Sequence, residues 1–156
     1  MRPTRTALET VTRTWHSLAN FGGLDTRVLG GMRVITASQE TGSVKCEMEV
    51  EKHHLNRLQG LHGGAICTLV DIVGSLAIAA KTNNSHTGVS SDISVSFMNG
   101  GKLGNKLEIS STCHKAGRNL AYATVQIHSG NKLLATGSHT KFIGNPPTKD
   151  FLDESK

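Results

Sequence analysis

Two adjacent glycines, a histidine and a carboxylate stand close together in one stretch of this sequence. His62, Gly63 and Gly64 come directly before an apolar run, and Asp71 lies inside that run. At the start of a helix, glycines let a ligand approach backbone N–H groups that have no intrahelical acceptor, so such a segment can bind an anion or an oxyanion. A turn that only redirects the chain is the commoner reason for two adjacent glycines, so this chemistry needs further support.

Asp71 is the second residue that could do chemistry, because it is a carboxylate among Ala, Ile, Leu and Val. It lies about two turns from the start of the predicted helix, which is beyond the range of a capping residue. Burial of an unpaired carboxylate is costly. Asp71 therefore has either a polar partner or a catalytic role, and the sequence leaves both alternatives open.

The element that must position these residues is a helix predicted from Leu61 to Lys81. Twelve of the sixteen residues at 65–80 are Ala, Ile, Leu, Val or Cys, which is typical of a helix that is buried nearly all round. The run is shorter than the roughly 20 residues that cross a bilayer, and it carries a charge near its middle, so we do not expect a transmembrane segment.

Strands are predicted on both sides of this helix, after a short amphipathic helix at 4–19. Two strands at 30–37 and 44–51 precede it, and four strands at 89–98, 106–115, 120–128 and 132–143 follow it with short turns. Consecutive strands joined by short turns pair antiparallel, and one face of the sheet needs an apolar cover. The central helix is the only element large enough, so the sequence predicts one α+β domain over residues 1–144 and a polar tail at 145–156.

The composition of the chain limits the classes of ligand that it could bind. The net charge is +5, but basic residues are scattered and aromatic residues make up 4% of the chain. This favours a small anionic ligand over nucleic acid. Three widely spaced cysteines predict a reducing compartment without disulfides, while an Arg-rich N-terminal segment faintly resembles a mitochondrial presequence. His53, His54 and His62 lack a carboxylate or thiolate at ligand spacing, so no metal site is predicted.

Four segments resemble the hotdog-fold acyl-CoA thioesterases, most closely their small single-domain type. They are HHLNRLQGLHGGAICTLVD at 53–71, GVSSDISVSFM at 88–98, KAGRNLAYATV at 115–125 and GSHTKF at 137–142. The resemblance covers about residues 27–144. It implies an antiparallel sheet wrapped around a long central helix, and hydrolysis of acyl-CoA to a free acid and coenzyme A, with no cofactor beyond the coenzyme A of the substrate.

The resemblance also implies roles for individual residues. Asn56 and the Gly63 amide would hold the thioester carbonyl, and His62 would order that end of the helix. Asp71 with Ser90 would position or activate water, with Asp71 acting either as a base or as a nucleophile. The coenzyme A contacts implied are Ser90, Phe97, Met98, Asn99, Gly100, Gly101, Lys102, Lys115, Ala116, Gly117, Arg118, Asn119 and Leu120.

The spacing of Gly63 and Asp71 predicts a partner subunit. Eight residues of helix separate them by roughly 12 Å, too far for both to act on one thioester carbonyl. Two central helices running antiparallel across a two-fold axis would bring Gly63 of one chain near the other chain's Asp71. The resemblance implies the same homodimer, often paired into a tetramer.

Two other functions stay open at this stage. The same fold supports 3-hydroxyacyl dehydratases and hydratases, in which a histidine abstracts a proton. An acyl-CoA-binding regulator without turnover is the second alternative, although the presence of Asn56, Asp71 and Ser90 together argues against it. One departure from the resembled family is Gly100-Gly101, where its members usually carry a proline and a small residue.

Overall fold

A six-stranded antiparallel sheet packs against one long helix, which confirms the predicted hotdog arrangement. The computed structural model describes residues 5–145, so most of the predicted tail at 145–156 and the first four residues of the predicted domain lie outside the described residues. The elements are α1 Ala7–Asn20, α2 Leu24–Leu29, β1 Arg33–Ser38, β2 Ser43–Glu49, α3 Gly63–Thr82, β3 Val89–Phe97, β4 Lys106–Ala116, β5 Leu120–Ser129 and β6 Lys132–Phe142.

The sheet order is β1-β2-β4-β5-β6-β3, and every neighbouring pair is antiparallel. β3 follows α3 directly in the chain but pairs only with β6, so β1 and β3 form the two edges of the sheet. The apolar residues Val89, Ile93 and Phe97 of β3 are exposed in the single chain. The alternation in this segment predicted the strand correctly, but it did not distinguish an edge strand from a covered one.

Helix α3 forms the centre of the hydrophobic core. His62 caps its first turn, and Asn83 ends it in the left-handed conformation with φ of 48°. The helix is long and apolar enough to cross a membrane, yet 72% of its most apolar 18-residue stretch is buried inside this chain. The prediction of burial all round is wrong for the N-terminal half. Gly64 is exposed, and Cys67 and Asp71 are half-buried. These three residues, spaced by three and four residues, form a partly exposed stripe.

Two glycines let α3 approach β6 closely. A Cβ atom on Gly74 would lie 3.1 Å from Nδ1 of His139, and a Cβ atom on Gly137 would lie 2.6 Å from Cγ1 of Val70. Both distances are shorter than a relaxed carbon contact, so neither position has room for a larger side chain. This close approach brings the turn that carries Asp71 against the inward side chains of β6.

The N-terminal region differs from the prediction in one element. Helix α1 begins after a capping box formed by Thr6 and Glu9, close to the predicted bounds. Helix α2, however, occupies a segment for which no structure was predicted, and its residue Leu29 is fully buried. The first strand consequently begins at Arg33 instead of Gly30, because Gly30 ends α2.

Candidate active site

The first turn of α3 leaves one backbone donor free. His62 Nδ1 accepts a hydrogen bond from the Gly64 N–H at 2.8 Å. The carbonyl oxygen of His62 accepts from the N–H groups of Ala65 and Ile66 at 2.9 and 3.3 Å. Among residues 5–145, only the Gly63 N–H of this turn has no acceptor. It lies at the positive end of the helix dipole, where a negatively charged oxygen is favoured.

Asn56 closes the loop 56–60, which leads into this turn. Its Oδ1 accepts from the N–H groups of Leu58 and Gly60 at 2.9 and 3.1 Å. The Nδ2 group has no hydrogen-bond acceptor within the described part of the chain, so a second donor is available at this end. The Leu61 N–H donates to the carbonyl oxygen of Gly101 at 2.9 Å, which fixes the loop 98–105 beside it.

His54 links this region to the segment before β1, and both of its ring nitrogens make hydrogen bonds within the chain. Its Nε2 lies 2.6 Å from the Val28 carbonyl oxygen, and its Nδ1 accepts from the Glu51 N–H at 2.8 Å. The carbonyl oxygen of His54 accepts from the His62 N–H. Burial lowers the pKa of the His54 imidazole. Within residues 5–145, no three His, Cys, Asp or Glu side chains are arranged to hold a metal ion.

Asp71 meets a histidine that the sequence analysis did not single out. His139 Nε2 lies 3.6 Å from Asp71 Oδ1 and 2.8 Å from Ser90 Oγ. The Asp71 side chain is 40% exposed, whereas the His139 side chain is fully buried. The resemblance included the segment GSHTKF but implied no role for its histidine. An inward-facing histidine on a predicted strand was the available signal.

The electrostatic environment keeps His139 uncharged near neutral pH. Burial is the largest influence that lowers the pKa of His139, and the positive charge of Lys141 lowers it further. The carboxylate of Asp71 acts in the opposite direction and is outweighed. His139 Nδ1 is buried without a hydrogen-bond partner among the described residues. The Nε2 atom is therefore the one through which this imidazole touches the site, as a hydrogen-bond partner of Ser90.

The residues predicted to contact coenzyme A fall into two groups at opposite ends of β3. Phe97 lies at the Gly63 end, because a Cβ atom on Gly63 would be 3.4 Å from its Cε1 atom, and Met98, Asn99, Gly100, Gly101 and Lys102 follow it. Ser90 lies at the Asp71 end. Seven residues of strand separate Ser90 from Phe97 by roughly 23 Å.

The second group consists of Ser90 and residues 115–120, and most of residues 115–120 surround an exposed cleft near the Ser90 end. The cleft has a volume of about 530 Å³ and lies where the hairpin between β4 and β5 meets β6. Lys115 and Arg118 place two cationic side chains there. The remaining residues around it are Gly117, Asn119, Leu120, Ala121, Tyr122 and Thr140. One chain therefore does not bring all the predicted coenzyme A contacts together.

An apolar cleft of about 580 Å³ opens between α1, α2 and the segment before β3. Leu18, Phe21 and Val89 supply its apolar walls, and Asp25 lies at its side. Burial raises the pKa of Asp25, and repulsion from the charge of Asp71 raises it further. Because the charge of Asp71 acts on Asp25, this cleft adjoins the Asp71 cluster, which consists of Asp71, Ser90 and His139.

Comparison with known proteins gives a consistent picture. Residues 58–136 match the family model described as thioesterase superfamily. Human acyl-coenzyme A thioesterase 13 is 39% identical over 121 residues, covering 76% of this chain and 84% of that protein. The crystal structure of zebrafish thioesterase superfamily member 2 aligns with a TM-score of 0.80 at 41% identity, covering 90% of this chain and 99% of that chain. A Streptococcus mutans protein solved bound to acetyl-CoA aligns with a TM-score of 0.66 at 26% identity, covering 75% of this chain and 91% of that one.

Proposed function

This chain belongs to the thioesterase superfamily and is a thioester hydrolase, and from that premise we propose that its substrate is an acyl-CoA. Coenzyme A enters as part of the substrate, and no separate cofactor is proposed. The excess of basic residues suits a ligand that carries several phosphates. The acetyl-CoA bound to the Streptococcus mutans relative supports the same choice.

The proposed chemistry uses the first turn of α3 from one chain and Asp71 of α3 from a second chain. The Gly63 N–H and Asn56 Nδ2 donate to the thioester carbonyl oxygen and stabilise the negative charge that develops on it. Water attacks the carbonyl carbon and gives a proton to Asp71, with Ser90 holding the water. The tetrahedral intermediate then expels the coenzyme A sulfur, which takes up the proton, and the free acid remains. Direct attack by the Asp71 carboxylate through an anhydride is the alternative first step.

The observation that carries this proposal is the unpartnered Gly63 N–H at the start of a helix that also carries Asp71. A helix N-terminus with one free donor is suited to an oxyanion. The partly exposed carboxylate of Asp71 is suited to activate water at the Gly63 end of a second chain.

Asp71→Asn is the direct test. We expect this variant to keep the fold, because the shape is nearly unchanged, and to lower kcat by at least about a hundredfold, because the amide is not a base. The measurement is release of free thiol from acyl-CoA substrates of increasing chain length, with thermal unfolding as the check on folding. Glu108→Gln, on the exposed face of β4, is the matched control. Near-normal turnover by Asp71→Asn would refute the catalytic assignment.

We propose that the apolar cleft beside Asp71 binds the acyl group. It adjoins Ser90, and its walls are formed by Leu18, Phe21 and Val89. An acyl chain there would bury apolar surface and leave the carbonyl carbon near the Asp71 end of the stripe. The chain-length series above measures how much of this cleft the substrate uses.

A homodimer with shared sites is proposed to complete the active site. Gly63 and Asp71 lie on one uninterrupted helix, and eight residues correspond to roughly 12 Å. The uncovered edge of β3 is nine residues long and carries exposed apolar side chains, so it is suited to pair with the same edge of a second chain. An antiparallel pairing about the middle of β3 would bring the Ser90 end of one chain to the Phe97 end of its partner.

The hydratase alternative receives less support. It requires a histidine that can reach a substrate carbon. His139 is fully buried, and the Nδ1 atom of His62 is occupied by the Gly64 N–H. Because His62 Nδ1 accepts that hydrogen bond, the neutral ring carries its hydrogen on the exposed Nε2 atom. Neither imidazole therefore presents a free basic nitrogen to a substrate.

A further inference from the structure

Lys141 is a lysine buried on the core side of β6, with 6% of its surface exposed. Its Nζ atom donates to Ser75 Oγ at 2.7 Å and to Thr87 Oγ1 at 3.4 Å. Two hydroxyl groups solvate an ammonium but do not neutralise it. No carboxylate of the described residues lies within 4.0 Å of this nitrogen. Burial of a charge without an ion pair is costly, so the position of Lys141 calls for an account.

A continuous chain of hydrogen bonds links Lys141 to the backbone of Asp71. Ser75 accepts from Lys141 and donates its own hydroxyl hydrogen to the Asp71 carbonyl oxygen at 2.8 Å. His139 precedes Lys141 by two residues on the same face of β6 and touches the Asp71 carboxylate at 3.6 Å. β6 therefore contacts the turn of α3 that carries Asp71 at two points, its backbone through Ser75 and its side chain through His139.

We infer that Lys141 is a positioning residue for Asp71. It fixes the helical turn of Asp71 through Ser75, and it places a buried positive charge on the face of β6 that also carries His139, which contacts the Asp71 carboxylate. The inference rests on the proposed function, because it assigns Lys141 to the support of the proposed base. Lys141 does not touch the substrate in this arrangement, and it acts only through Asp71 and His139.

The charge of Lys141 also affects the pKa of His139, its neighbour on β6. Burial lowers the pKa of Lys141 itself, against the attraction of Asp71 and Asp25, and both burial and the Lys141 charge lower the pKa of His139. A neutral His139 leaves the Asp71 carboxylate free to accept a proton from water, whereas a protonated His139 would form an ion pair with it. The titratable groups that act on this pair are Asp71 from α3, Asp25 from α2, His86 from the segment before β3 and Asp92 from β3.

The sign of the pH effect follows from these shifts. A histidine whose pKa is depressed stays neutral below its ordinary value of about 6.5. Without the positive charge of Lys141, His139 takes up a proton at higher pH, and the ion pair with Asp71 forms earlier as the pH falls. The acidic limb of kcat/KM is then expected to move to higher pH.

Lys141→Met, which removes the charge and keeps most of the length of the side chain, tests this. We expect kcat to fall about tenfold with KM within about twofold. The acidic limb of kcat/KM should move up by roughly one pH unit. The same upward shift should appear in the NMR titration of the His139 imidazole, measured on the whole protein without substrate.

Two further variants separate the parts of the inference. Ser75→Ala breaks the hydrogen-bond chain but keeps the charge, so kcat should fall while the acidic limb and the His139 titration stay in place. Lys81→Met removes a lysine whose Nζ donates to the Glu40 carbonyl oxygen, away from the site, and should match the wild-type protein in every measurement.

Three results would overturn the inference. These are wild-type kinetics of Lys141→Met, an unmoved His139 titration in that variant, and wild-type kcat of Ser75→Ala. The third decides the matter if Lys141→Met fails to fold. If the wild-type protein hydrolysed none of the acyl-CoA substrates, the proposed function would be refuted instead. The His139 titration would still measure the effect of Lys141.

Discussion

At the scale of single residues, the chemistry proposed for this protein depends on which polar atoms are already occupied. His62 uses its Nδ1 atom and its carbonyl oxygen to satisfy the amides of Gly64, Ala65 and Ile66, which leaves the Gly63 N–H for a ligand. Asn56 likewise uses Oδ1 within its loop and keeps Nδ2 available. Hydrogen bonding inside the chain thus leaves two donors, the Gly63 N–H and Asn56 Nδ2, available to a ligand near the start of α3.

Lys115 and Arg118 give a prediction about substrate binding. Both lie beside the cleft at the β4–β5 hairpin, and if they bind phosphates of coenzyme A, changing both to Ala should raise KM for acyl-CoA. An acyl-pantetheine that lacks those phosphates provides the comparison, and its KM should change little. Steady-state kinetics on both substrates measure the difference. Equal changes on the two substrates would mean that these side chains only face solvent.

The sequence singled out Gly63 and Asp71 as candidate site residues but not His139, the residue of β6 that contacts Asp71. Asp71 and the HGG segment were recognisable because a charge and paired glycines stand out in an apolar helix. His139 was not assigned, since its contact with Asp71 depends on how closely α3 approaches β6. That distance is set by Gly74, whose significance appears only when the two elements are packed together.

At the scale of elements, α3 and β6 form the contact on which the Asp71 cluster depends. Gly74 on the helix faces His139, and Gly137 on the strand faces Val70. Any increase in this spacing would draw Asp71 away from the His139 Nε2 atom. The elements themselves were predictable from periodicity, with α3 and all six strands found near their predicted bounds. Helix α2 was not, because six residues are too few to show a helical period.

Gly137→Ala tests this contact. The added methyl would meet both Cγ atoms of Val70 at 2.6 and 2.7 Å, so we expect a loss of about 1–3 kcal/mol in the free energy of unfolding and a lower kcat. Val70→Ala removes the clashing atoms but leaves a cavity on its own. The double variant should therefore be more stable than the sum of the single effects predicts. Urea unfolding of all three variants measures this, and strict additivity would show that the two residues do not compete for space.

At the scale of the whole molecule, the two halves of the proposed site lie far apart within one chain. The Gly63 donor and the loop after Phe97 lie at one end of β3, and Asp71, Ser90 and the cationic hairpin lie at the other. This separation was predicted from the helix rise alone. The sequence also predicted that a second chain, with its central helix antiparallel to the first, would close the gap. It did not indicate that two chains could pair through β3, because the pattern of β3 does not reveal that it is an edge strand.

Mixed dimers test the shared site. Asp71→Asn and Asn56→Ala chains, each inactive alone, are expected to regain activity when refolded together. In a mixed dimer one site receives both lesions and the other receives none, so about half of the wild-type activity per dimer should return. Heterodimers purified through two different tags provide the measurement. If they stay as inactive as either parent, Asp71 acts within its own chain.

The bare edge of β3 has a further consequence, for production of the protein in cells. Its exposed Val89, Ile93 and Phe97 form an apolar strand edge interrupted by a single charge, Asp92, and such edges promote aggregation when they stay unpaired. A newly synthesised chain would carry this hazard until it met a partner. Substitutions that weaken the pairing of β3 should therefore appear first as low yield and inclusion bodies, and those that remove Asp92 should worsen both.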